Sequence, residues 1–135
     1  MIKLLNDFNV AKNFKVSEFV CPDGSSEVMI VNDMINKIQI LRDLAKAPVI
    51  IVSGFRNPAY NKSIGGYITS MHLAGRAYDI HVTGYRPEQI VTLAQQAGFT
   101  SIIVYDTWVH VSNKTPKAFS DERVQNKGKY INRLW

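Results

Sequence analysis

The sequence is poor in the residues from which covalent staples and metal clusters are made. A single cysteine, Cys21, in 135 residues excludes an internal disulfide framework and a multi-cysteine zinc module. Only His72, His81 and His110 are available to a histidine-based metal site. A bilayer span needs about 20 apolar residues, and the apolar stretch Ala47-Pro48-Val49-Ile50-Ile51-Val52 falls far short of that. The start, Met1-Ile2-Lys3-Leu4-Leu5-Asn6-Asp7, lacks a long apolar core and a small-residue cleavage site. The expectation is synthesis in the cytosol with no membrane partner, any action outside depending on another factor for release. Internal repeats and low-complexity segments are absent as well. What remains is ordinary for a globular chain: 46% hydrophobic and 20% charged residues, at a length that suits one domain with its own core.

Charge is unevenly spread. The formal net charge is +5, which favours an anionic partner without naming it. From residue 113 onward six basic residues (Lys114, Lys117, Arg123, Lys127, Lys129, Arg133) face two acidic ones, Asp121 and Glu122. Residues 113–135 are therefore a basic C-terminal extension of the same domain, while residues 1–112 are close to neutral. The extension could steer the chain to an anionic polymer, or be merely solvated. No recognition helix or aromatic platform supports a nucleic-acid partner. A monomer is expected.

The chain alternates helices and strands. Asn32 suits an N-cap, and Val31, Met34, Ile35, Ile38, Leu41 and Leu44 form one apolar stripe at helical spacing, ended near Lys46 by Pro48. Val49 to Val52 reads as a buried strand. Pro58 and Gly65-Gly66 mark a long loop over 54–72. Ala77 to Thr83 alternates as a strand, with Asp79 and His81 on one face. Pro87 and Gly98 bound a second helix. Ser101 to Tyr105 and Trp108 to Ser112 form two strands around the turn Asp106-Thr107. The order predicts an α+β domain with a small, mainly antiparallel sheet packed with helices.

The chemistry concentrates between residues 70 and 110. His72 lies in a glycine-rich loop, and Asp79 on a strand otherwise bound for the core, where a carboxylate needs a compensating cation or donor. His110 sits between Val109 and Val111. Two imidazoles and a carboxylate are an accepted zinc set that leaves a coordination position open, the catalytic pattern. Spacing alone leaves a structural role open for each residue, and lets His81 replace either histidine.

Four segments then carry a resemblance: Phe14-Lys15-Val16-Ser17-Glu18-Phe19-Val20-Cys21, Ile51-Val52-Ser53-Gly54-Phe55-Arg56-Asn57-Pro58-Ala59-Tyr60-Asn61, the run from Ser70 through His72, Gly75 and Ala77 to Asp79, and Trp108-Val109-His110-Val111. In that order they resemble the zinc D-alanyl-D-alanine carboxypeptidase family, which includes vancomycin-resistance dipeptidases and phage L-alanyl-D-glutamate endolysins. Its fold is shared with the Hedgehog signalling domain. The resemblance covers roughly residues 13–112. It implies a zinc peptidase acting on peptidoglycan stem peptides, as a carboxypeptidase or an endopeptidase, at the cell wall. It implies zinc on His72, Asp79 and His110, with His81 a bystander. Arg56 would bind substrate and stabilise the oxyanion, Ser70 would help hold substrate, and the loop Ser63-Ile64-Gly65-Gly66-Tyr67 would shape the entrance.

The chain departs from the pattern in two places. Many members place an acidic general base three residues before the last histidine, where this chain has Thr107. Close relatives often carry an aspartate two residues after it, where this chain has Ser112. Asp106 is the candidate base; a turn-forming aspartate is the competing reading. A zinc-binding, catalytically inactive wall-binding or structural module, as the Hedgehog likeness allows, is the alternative function.

Overall fold

The alternation of apolar and polar residues along the central strands decides which sheet face is covered. In the computed structural model, which describes residues 6–131 and 134–135, a five-stranded sheet runs in the order β3 (Val49–Ser53), β4 (Ala77–Val82), β6 (Val109–Ser112), β5 (Ser101–Val104), β7 (Ala118–Asp121). A separate antiparallel pair, β1 (Asn9–Ala11) and β2 (Phe14–Lys15), precedes it. The neighbours among β3, β4, β6 and β5 pair antiparallel, and β5 pairs with β7 in parallel. The fold is α+β with a mainly antiparallel sheet, as the element order predicts.

Tyr78, Ile80, Val82, Ile102, Val104, Val109 and Val111 share the core face. Against them pack α1 (Asn32–Ala45), through Met34, Ile35, Ile38 and Leu41, and α3 (Pro87–Ala97), through Ile90, Val91 and Ala94. Because side chains alternate across a strand, Asp79, His110, Ser112, Ser101 and Ile103 stand on the other face. That face carries no helix of this core layer and holds a cleft of about 360 Å³.

Local differences from the sequence expectation have local causes. The capping position before α1 is the extended Val31, with Asn32 already helical. The stretch expected as loop contains α2 (Pro58–Ser63), started by Pro58 and by the Asn57 side chain, which accepts from the Tyr60 N–H at 2.8 Å. It ends in a 3-10 turn, Met71–Ala74. The residues before 30, to which the sequence assigned no element, include β1, β2 and a 3-10 turn, Val16–Phe19. The basic extension supplies β7 and a buried arginine, Arg123, so part of it belongs to the fold; Lys114, Lys117, Lys127 and Lys129 stay exposed. Among the described residues no helix is long and apolar enough to cross a membrane.

Candidate metal centre

Asp79 and His110 are direct cross-strand partners on β4 and β6, a separation that brings their side chains together on one face. His72 arrives from the 3-10 turn Met71–Ala74, capped by the Ser70 hydroxyl, which accepts from the His72 N–H at 3.2 Å. Gly75 ends that turn at a φ of +66°, where a side chain would also strike the Met29 carbonyl oxygen at 2.5 Å. The turn is tied to β3's end as well: the Arg56 N–H donates to the His72 carbonyl at 3.2 Å.

One ligand atom from each of His72, Asp79 and His110 lies within 4.8 Å of the others. His72 Nδ1 is 2.7 Å from the Gly54 carbonyl oxygen. A carbonyl only accepts, so Nδ1 carries the proton and Nε2 presents its lone pair. That Nε2 faces Asp79 Oδ2 at 3.4 Å, and His110 Nδ1 faces Asp79 Oδ1 at 3.0 Å. Lone pairs aimed at one another this closely require a proton or a cation among them. Ligands about 2.0–2.1 Å from a tetrahedral zinc stand about 3.4 Å apart, so the donor set fits that ion. The backbone contact to His72 is the outer support usual for a ligating imidazole. His81 is on the same strand face as Asp79 but outside this cluster.

The centre is buried and charged. His72 is 2% exposed and Asp79 9%. Burial pushes the Asp79 carboxyl up, but with a proton on each facing imidazole the hydrogen bonds and charge of His110 and His72 outweigh it, holding the group well below the ordinary carboxylate range. Arg56 donates from Nη2 to Asp79 Oδ2 (3.1 Å), from Nε to Ser53 Oγ (3.1 Å) and from Nη1 to Asn61 Oδ1 (3.4 Å). Ser70 and Arg56 both line the cleft with the three cluster residues.

Asp106 does not join them. Its carboxylate accepts the backbone N–H groups of Val124 and Gln125, both at 3.1 Å, and it lines a separate pocket beside Glu88 and Arg123. The turn Asp106-Thr107 forms as expected, closed by the Tyr105 N–H on the Trp108 carbonyl at 3.0 Å. Its aspartate turns to the following chain instead of the cleft. Asp106→Ala is expected to cost about 1 kcal/mol of stability for the lost backbone contacts and to leave zinc affinity unchanged. Thermal melts and zinc titration check both.

Two cleft residues, and a buried asparagine behind the cleft wall, received no role from the sequence. Tyr105 and Trp108 stack at a centroid distance of 4.6 Å and form an aromatic wall. Burial and the Asp79 charge push the Tyr105 phenol up. Asn61, 2% exposed, accepts from Arg56 and donates to the Tyr67 carbonyl at 2.8 Å, joining the arginine to the 63–67 loop. It is the last residue of the second recognised segment, which was its one visible signal. A Cβ on Gly66 would lie 2.0 Å from Asn61 Oδ1. Gly66→Ala is therefore expected to displace that amide and cost about 2 kcal/mol by overpacking, read as a lowered melting temperature.

A family model described as Peptidase M15 matches residues 12–112, more than half of the chain. No curated protein matches it.

Proposed function

The chain belongs to the peptidase M15 family, and from that premise we propose that it is a zinc-dependent peptidase of peptidoglycan stem peptides, acting at the cell wall. The observation that carries this reading is the convergence of His72, Asp79 and His110 in an open cleft. Zinc held by these three residues would supply Lewis acidity toward a carbonyl oxygen and make a water acidic near neutral pH.

The chain's own residues supply position and charge. Arg56 orients Asp79 and keeps a permanent positive charge beside the reacting carbonyl, where negative charge develops. Asn61 fixes that guanidinium. Ser70 holds the His72 turn and, from the cleft wall, offers its hydroxyl to a peptide group. The Tyr105–Trp108 wall and the loop at Gly65 and Gly66 line the cleft and limit water there. The exposed lysines of the extension add affinity for anionic wall polymer.

Asp79 is the one carboxylate lining the cleft among the described residues. The absence of a second, base-like carboxylate favours an alternative: a zinc-binding wall or structural module without hydrolysis. Incubating the zinc-loaded protein with peptidoglycan and isolated stem peptides separates the two. New amine and a shortened peptide are expected. One equivalent of bound zinc with no cleavage selects the module.

A further inference from the structure

We propose that Lys114 is the anion-recognising residue of the cleft, so that the peptide taken there carries a free carboxylate on the β5–β6 side of the metal centre. This inference rests on the peptidase reading and names the substrate class for it.

Two cations line the cleft, Arg56 and Lys114. All three guanidinium nitrogens of Arg56 are already engaged, by Ser53, Asn61 and Asp79. Lys114 differs. Its main chain is held at both ends: the N–H donates to Ser112 Oγ at 3.0 Å and the carbonyl accepts from Thr100 Oγ1 at 2.7 Å. Its side chain is exposed, and among the described residues its ammonium has neither an ion pair nor a hydrogen bond, while Lys37 pairs with Asp33 and Arg123 with Asp121. A fixed backbone thus carries an uncommitted charge at the cleft.

The surrounding wall does not neutralise it. Between His110 and Lys114 the lining is Ser112, with Ser101 and Ile103 on the adjacent strand, and the sole lining carboxylate, Asp79, is held by Arg56 and two histidines. A carboxylate on a bound peptide is the complementary group. Lys114 is four positions after His110, so their backbones are no more than about 14 Å apart. The substrate anion therefore lies within about four extended residues of the scissile bond. An ammonium on a flexible stem selects charge rather than a planar fork. A terminal carboxylate and an acidic side chain thus share this chemistry, and the test must tell them apart.

The test uses the zinc-loaded full chain and three forms of a stem pentapeptide, L-Ala–γ-D-Glu–L-Lys–D-Ala–D-Ala: unmodified, amidated at the C-terminus, and amidated at the glutamate α-carboxyl. Affinity is measured by calorimetry and cleavage by product analysis. The parent protein is expected to bind the unmodified peptide about fivefold more tightly than one of the amides, which identifies the carboxylate. Lys114→Met should erase that ratio, Lys114→Glu should reverse it, and Lys114→Arg should retain it. Lys12→Met, exposed and outside both the cleft and the extension, should behave as the parent. A ratio that survives Lys114→Met, or equal binding of all three peptides by the parent, overturns the proposal. If the parent binds but cleaves none of them, the peptidase reading fails, and the affinity ratios alone decide the role of Lys114.

Discussion

His72→Ala is expected to abolish one-equivalent zinc binding and to lower stem-peptide hydrolysis by about a thousandfold, the several kcal/mol that a Lewis-acid metal contributes to a transition state. The alanine removes the Nε2 donor, and also the Nδ1–H bond to Gly54 that fixes the ring. A readout independent of catalysis accompanies it. Zinc at a hundred times its dissociation constant stabilises the native chain by about 2.7 kcal/mol, so the parent's melting temperature should rise with zinc and the variant's should not. His81→Ala is the matched control. It changes the neighbouring histidine on the same strand face, yet His81 lies outside the cluster, so zinc binding, the zinc-dependent melting shift and cleavage should all persist. If His81→Ala loses zinc and His72→Ala keeps it, the ligand set is misassigned.

The ligand set was legible through the ordered resemblance of four segments, since spacing alone left His81 open; what spacing did supply is local. A strand's period of two fixes the face of Asp79, and antiparallel pairing then sets His110 directly opposite. The stripe of α1 and the Pro87–Gly98 bounds of α3 were legible for the same reason, since helix period and end residues act within a few positions. Asp106 was not legible in this way. Whether its carboxylate turns to the cleft depends on Val124 and Gln125, backbone donors 18 and 19 residues later. β7 was likewise missed: Ala118-Phe119-Ser120-Asp121 has little intrinsic strand character, and parallel pairing with β5 is what holds it extended. Asn61 was visible as a motif residue, but its link between Arg56 and the Tyr67 carbonyl exists only once the loop folds back.

The basic extension shows how far a charge count can mislead about position. Arg123, counted with the solvated cations, is 3% exposed. It grips Asp121 through Nε (2.9 Å) and Nη2 (2.7 Å), donates to the Lys129 carbonyl at 2.9 Å, and places Nη1 3.5 Å from Glu88 Oε2 in the first turn of α3. One side chain therefore joins β7, the following loop and the helix layer. Arg123→Ala strips Asp121 of its cation and leaves Glu88, itself 8% exposed, with Arg86 Nε at 2.7 Å alone. The expected cost is about 3 kcal/mol, as for breaking a buried pair from one side, which lowers the melting temperature by about 10 °C in a domain of this size.

The loss should depend on pH with a definite sign. Hydrogen bonds from Arg123 hold the Asp121 carboxyl well below its ordinary value of 3.8. A depressed native pKa stabilises fully above the unfolded value, and that contribution fades as pH falls through the depressed one. The gap in melting temperature between parent and Arg123→Ala should thus be constant from pH 5 to 7 and shrink below about pH 4. A gap that stays constant into acid would mean that Arg123 acts through packing of its stem rather than through its carboxylate partners. Zinc affinity should match the parent at neutral pH, because Arg123 and Asp121 lie outside the cluster of His72, Asp79 and His110.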